Sequence, residues 1–203
     1  MTRIADTVKT VEVDGAKFHH VAIPGLVLVE PIVRPDDRGF FLEVHHRHKY
    51  AEGGIDVDFV QDNHSQSKRD TLRGLHTQVK HPQGKLLRTI EGAIFDVAVD
   101  VRRGSPTRGK WYGTELSAEN FRQLYVPAGF LHGFCVVSDR AQVEYKVTDV
   151  YHSGDDLTVA WDDPELAVEW PVEEPFLSPG DEKGFRVEEV RDQLADIRPY
   201  RAA

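Results

Sequence analysis

The chain predicts an all-β fold with a small helical appendage, and three observations carry that expectation. Short runs rich in Val, Ile, Phe and Tyr recur along it, the clearest of them alternate with period two, and clusters of Gly, Pro and Asp separate them. Many short strands at this spacing make a sandwich, jelly roll or small barrel rather than alternating βα units.

In chain order, the candidate strands cover residues 25–32, 40–44, 55–64, 85–90, 94–101, 110–116, 123–126, 134–137 and 142–148. The breakers between them include Pro35-Asp36-Asp37, Gly53-Gly54, His81-Pro82-Gln83-Gly84, Arg103-Gly104-Ser105-Pro106 and Pro127-Ala128-Gly129. The clearest strand is 94–101, where Phe95, Val97, Val99 and Val101 alternate with Asp96, Ala98 and Asp100. One row therefore faces an apolar layer and the other a polar or more open one. In 142–148, Val143, Tyr145 and Val147 share a face opposite Glu144 and Lys146, so Tyr145 is expected to point inward. Ser117-Ala-Glu-Asn120 has the form of a helix start and is expected to make one short turn. Only the tail reads as helical, with Val190, Leu194 and Ile197 at spacings of four and three within 188–198.

The 203 residues carry 25 Lys and Arg against 34 Asp and Glu, a formal charge of −9, which argues against nonspecific nucleic-acid binding. No repeat or linker divides the chain, so one domain over 1–203 is expected. A chain of this length buries about 70% of its unfolded surface and needs no staples. The single cysteine, Cys135, excludes an internal disulfide, and its apolar setting suggests an inert thiol. With no apolar signal core at the start and no run of roughly 18 apolar residues, a cytoplasmic location without membrane contact is expected.

The densest polar stretch joins Gln61, Asn63, Arg73, His76 and Lys85 within 25 positions, on segments that otherwise look like adjacent strands. Each alone reads first as an exposed residue on a solvated face. Together they suit the interior of a ligand-holding barrel, where unpaired polar burial is costly. His132, between aromatics and glycines, reads first as a hydrogen-bonded core residue. Asp96 and Asp100 read as turn, interface or functional carboxylates alike. His45, His46 and His48 do not converge as metal ligands if the segment is a strand, and exposure at an edge or subunit contact is expected. There is no GxGxxG, no GxxxxGK[ST] and no GxSxG, so a phosphate-cradling Gly loop and a nucleophile elbow are both missing.

An ordered set of motifs then carries a resemblance. Asp37-Arg-Gly-Phe-Phe-Leu-Glu43, Gln61-Asp-Asn-His-Ser65, Arg73-Gly-Leu-His76, Gly84-Lys-Leu86, Phe95-Asp-Val-Ala-Val-Asp100 and Arg103-Gly-Ser-Pro-Thr107 come first. Pro127-Ala-Gly-Phe-Leu-His-Gly-Phe134, Tyr145-Lys146, Trp161-Asp-Asp-Pro164 and Trp170-Pro171 follow. Over roughly residues 20–185 the chain resembles the dTDP-4-dehydrorhamnose 3,5-epimerase family. The resemblance implies a cupin-type jelly roll over about 20–185, and the arm at 1–19 and the helical tail at 186–203 lie outside it. It further implies a homodimer, no metal and no cofactor, and a dTDP-4-keto-6-deoxyhexose substrate.

By the same resemblance His76 is the general base, held by Asp181, Tyr145 is the acid on the opposite face, and Lys85 stabilises the enolate oxygen. Arg38, Glu43, Gln61, Asn63, Arg73, His132, Tyr151 and Asp156 are implied as substrate contacts, Tyr151 by stacking on thymine. Leu177-Ser-Pro-Gly-Asp181 has Gly180 where family members often have Lys, and Asp156 stands where a glutamate is usual. These residue types suit the chemistry. A hydrogen beside a ketone is removed by a base with a pKa near neutrality, the oxyanion needs a cation, and a protonated phenol can return the proton. Other expectations on this scaffold are a 3-only or 5-only epimerase, a 3,4-ketoisomerase, a noncatalytic sugar-nucleotide-binding cupin and, least in keeping with the residues, a metal-dependent oxygenase.

Overall fold

Alternating strands bury one face each, and in this chain they do so by closing two antiparallel sheets on each other. The computed structural model describes residues 7–197. Its strands are β1 (Thr7–Val13), β2 (Ala16–Val21), β3 (Val27–Pro31), β4 (Arg34–Asp36), β5 (Gly39–Phe41), β6 (Gln61–Lys68) and β7 (Leu72–Gln78). They continue with β8 (Lys85–Glu91), β9 (Ala93–Asp100), β10 (Trp111–Ser117), β11 (Gln123–Val126), β12 (Phe130–Val136), β13 (Arg140–Val147) and β14 (Asp156–Thr158). One sheet has the order β1-β2-β3-β11-β8-β13-β6, the other β10-β9-β12-β7-β14, and β4–β5 form a separate hairpin. The expected cupin-type jelly roll is the fold that forms.

Three apolar layers follow from this arrangement. Between the sheets lie Leu28, Leu87, Leu124, Val126 and Val143 from one side and Ile94, Ala98, Phe130 and Phe134 from the other, with Tyr145 against them. The outer face of the five-stranded sheet, with Leu75, Val97, Val99, Trp111 and Leu131, is covered by Val187, Val190, Leu194 and Ile197 of the tail. The outer face of the seven-stranded sheet, with Phe18, Val27, Val29, Leu86 and Tyr125, is covered by Tyr50 and Ile55. On β13 the inward row is as expected, and the outward row pairs across strands: Glu144 with Arg88 at 2.6 Å and Lys146 with Asp62 at 2.9 Å.

Several sequence expectations change in detail. The strand expected over 55–64 begins only at Gln61, because residues 55–59 cross the outer sheet face and the first bond to β13 is from the Val60 N–H to the Val147 carbonyl at 2.9 Å. There Ile55 is buried and Val57 and Phe59 pack beside it, which produces the same alternating pattern. The strand expected over 40–44 shrinks to β5, whose Phe40 and Phe41 are exposed. The strand expected over 134–137 starts four residues earlier, directly after the Pro127-Ala-Gly129 breaker. Residues 7–21, in which no strand was expected, form the β1–β2 hairpin.

The strand reading of His45, His46 and His48 is overturned. A short helix α1 (Arg47–Glu52) starts there, with the His46 side chain accepting from the Lys49 N–H at its N-cap. His45 is not an exposed edge residue: its ring packs against Tyr50 and Phe59 at 4.8 and 5.3 Å. The tail forms a 3-10 turn, Val187–Glu189, then α2 (Arg191–Asp196), with Val190, Leu194 and Ile197 all buried. Position 198, the end of the expected helix, lies outside the described residues. Ser117 and Asn120 cap each other as a turn, the Asn120 N–H donating to Ser117 Oγ at 3.1 Å. Cys135 is buried, and burial pushes its thiol up to about 11.

Candidate active site

A cavity of about 320 Å³ opens between the two sheets and takes side chains from both. The five-stranded sheet supplies His76, Phe130, His132, Asp156 and Thr158, and the seven-stranded sheet supplies Gln61, Asn63, Lys85, Val126 and Tyr145. His76 and Tyr145 therefore stand on opposing walls of one space.

On the first wall, β7 and β12 approach each other unusually closely. A Cβ at Gly74 would meet Gly133 Cα at 2.6 Å and the His132 carbonyl at 2.9 Å, and Gly74 has φ +132°, so only glycine fits there. That contact sets the register in which His76 and His132 lie side by side. His76 Nε2 donates to Asp181 Oδ1 at 2.5 Å, which leaves Nδ1 as the ring nitrogen without a partner among the described residues. Asp181 also accepts from Ser178 Oγ at 2.6 Å and from the Gly74 N–H at 3.2 Å. Burial alone would raise the Asp181 carboxyl, but the bonds from His76, Ser178 and Gly74 outweigh it and hold the group below the ordinary range. His132 Nε2 lies 3.0 Å from Asp96 Oδ2. Burial lowers the His132 pKa, and Asp96 only partly opposes that. The polar row expected on β9 thus faces the jelly-roll interior, and Asp96 and Asp100 are both fully buried.

On the second wall, Tyr145 and Lys85 keep their polar ends without a hydrogen-bond partner among the described residues. Burial raises the Tyr145 pKa against a small opposing pull from Arg73, so the phenol stays protonated at neutral pH. Burial pushes Lys85 down to about 8, with Asp96 and Asp156 pulling the other way. Gln61 Nε2 donates to Asn63 Oδ1 at 2.8 Å, which orients both side chains. At the rim the Tyr151 hydroxyl donates to Asp156 Oδ2 at 2.6 Å.

Of the residues named from sequence, His76, Lys85, Gln61, Asn63, His132, Tyr145, Tyr151 and Asp156 line this cavity. Asp181 stands behind His76. Arg73 is not in the lining and instead donates from Nε to Ser67 Oγ at 2.9 Å, in a neighbouring groove with Asp181. Arg38 and Glu43 are not brought to this cavity: Arg38 projects from the β4–β5 hairpin paired with Asp36, and Glu43 pairs with Lys49. Sequence reasoning missed Gln78, Phe130 and Thr158 in the lining and Ser178 behind Asp181. Phe130 and Ser178 sit inside motifs quoted above but their residue types suggested no role, and only the fold turns these ordinary strand and loop residues inward. Asp100 proves structural, with Arg102, Ser105 and Thr107 all donating to it.

Fold and cavity together define a jelly-roll protein whose ligand space carries a proton acceptor on one wall and a proton donor on the other. The comparisons narrow this further. The family model described as dTDP-4-dehydrorhamnose 3,5-epimerase matches residues 20–189, and the chain belongs to that family. The dTDP-4-dehydrorhamnose 3,5-epimerase of Pseudomonas aeruginosa is 51% identical over 170 residues, 83% of this chain and 94% of the relative. The crystal structure of dTDP-6-deoxy-D-glucose-3,5-epimerase from Legionella pneumophila, in complex with dTDP-4-keto-L-rhamnose, matches with a TM-score of 0.87 and 43% identity. That match covers 92% of this chain and all of the other. A dTDP-4-dehydrorhamnose 3-epimerase from Streptomyces niveus is 40% identical over 178 residues, 87% of this chain and 86% of the relative.

Proposed function

We propose that this protein converts dTDP-4-dehydro-6-deoxy-D-glucose to dTDP-4-dehydro-L-rhamnose by inverting C3 and C5 beside the 4-keto group, acting in the cytoplasm and needing no cofactor. The observation that carries the proposal is the opposition of a carboxylate-held imidazole, His76, and an unpartnered phenol, Tyr145, across one cavity. His76 Nδ1 takes the proton from carbon, while Asp181 fixes the tautomer and supports the imidazolium that forms. The Lys85 ammonium faces the enolate oxygen at C4. Tyr145 then delivers a proton from the other side, and the configuration inverts.

His132, oriented by Asp96, joins Gln61 and Asn63 in holding the sugar, with Asp156 and Tyr151 at the nucleotide end, and Arg73 would turn from Ser67 in the adjoining groove to meet the diphosphate. A planar guanidinium suits that dianion, which explains how a protein of charge −9 would bind it. Arg38 and Glu43 would serve the cavity of a second copy, in keeping with a homodimer. The exposed Phe40 and Phe41 beside them supply an apolar surface for that contact.

Product NMR after turnover in D₂O tests the proposal. Deuterium at both C3 and C5 with the L-configured product is expected. The 3-epimerase relative keeps one second reading in play, and deuterium at C3 alone would select it. Tight dTDP binding with no exchange at either carbon would make the protein a binding module.

A further inference from the structure

Two loops meet beside the cavity rim: 79–84, between β7 and β8, and 148–155, between β13 and β14. The rings of His81 and His152 stack across them, with centroids 3.8 Å apart and planes 15° from parallel. Each ring is held by a carboxylate of the second loop, His81 Nδ1 lying 3.3 Å from Asp155 and His152 Nε2 lying 3.5 Å from Asp149. Asp155 also accepts the backbone N–H groups of Lys80 and His81 at 3.0 and 2.8 Å. The loops are thus joined both ring to ring and carboxylate to backbone.

Between Asp149 and His152 sits Tyr151, a residue 56% exposed that lines the cavity. Little packs on that ring, so its position depends on its backbone and its hydroxyl. The Tyr151 N–H donates to Gln61 Oε1 at 3.0 Å, and its hydroxyl donates to Asp156. One residue on, the His152 carbonyl accepts from Gln78 Nε2 at 2.6 Å. Neither histidine lines the cavity, so each acts on a ligand through neighbours that do, Tyr151 beside His152 foremost. We propose that the His81–His152 stack is a clasp, and that both rings are positioning residues holding Tyr151 against the nucleotide end of the substrate. The clasp rests on the proposed function for the identity of that substrate.

The test uses the full chain, with steady-state kinetics on the 4-keto sugar nucleotide and calorimetric binding of dTDP alone. His152→Ala and His81→Ala are each expected to raise KM and the dTDP Kd in parallel, roughly three- to tenfold, the effect of losing an ordinary aromatic pair. In both variants kcat stays within twofold. His152→Phe, which keeps a flat ring without ring nitrogens, is expected to restore both constants. Should His152→Ala fail to fold, His81→Ala on the other loop and His152→Phe still make the comparison. KM and Kd within twofold of the parent in the alanine variants overturn the clasp, as does a fall in kcat or Tm with KM unchanged. A parent protein that binds dTDP but turns over no 4-keto sugar sinks the proposed function alone, and the clasp is then judged on dTDP affinity.

Discussion

The two walls of the cavity are built on different principles. On the five-stranded side the imidazoles are tied to the protein, His76 to Asp181 and His132 to Asp96, and Asp181 takes two further donors. On the seven-stranded side the Tyr145 phenol and the Lys85 ammonium have no such ties among the described residues. A polar group left without a partner in a half-buried space costs stability, and that cost is tolerable where a ligand will supply the missing partner. The first wall is therefore pre-assembled by the fold, whereas under the proposed function the second waits for substrate to complete it. β9 carries the same contrast within one strand. Asp100 is saturated by Arg102, Ser105 and Thr107 and serves the fold, whereas Asp96, four residues away, is bonded to His132 at the cavity.

Breaking the pre-assembled wall should have the largest effect. His76→Ala is expected to lower deuterium exchange at both C3 and C5 by roughly 10²–10⁴-fold, read by NMR in D₂O. Equal exchange by variant and parent would remove His76 as the base.

On the opposite wall, Lys85→Met is expected to lower kcat by about 10²–10³-fold, the range for losing one oxyanion partner. Because burial brings Lys85 down to about 8, its positive charge is present below that pH and lost above it. kcat/KM should accordingly fall above about pH 8, approaching tenfold per pH unit. Tyr145, raised by burial, should still be protonated there. Lys85→Arg keeps the charge and should move this alkaline limb upward; a limb left in place in its pH profile would assign it to another group.

The smallest effect on exchange is expected from Tyr145→Phe. Proton removal by His76 should continue while inverted product falls sharply, so the ratio of exchange to inversion rises. Loss of both in proportion would put Tyr145 in a binding role.

Much of this was legible along the chain, for reasons that differ from residue to residue. β9 and β13 announce themselves because a strand buried on one face must alternate, and β11 was found at its full length, Gln123–Val126. The inward direction of Tyr145 follows from Val143 and Val147 on the same row. The α1 segment was not legible, since three histidines in four residues give neither helical nor strand periodicity. Its helix is held by the burial of Tyr50 against the outer sheet face. Residues 55–59 misled because packing across a sheet produces the same alternation as pairing within one.

Sequence by itself determined that the chain would be β-rich, which side chains would alternate inward, and, through motifs kept in order, the family. Which polar residues share a space was named in part by the family resemblance, but only the tertiary structure brings them there. Asp181 lies 105 positions from His76, and Tyr145 comes from the opposite sheet. No local pattern encodes such meetings, because they depend on strand order, on the close approach at Gly74 and Gly133, and on a tail that folds back over the sheet. Periodicity is a property of neighbours in the chain, whereas a site is a property of neighbours in space.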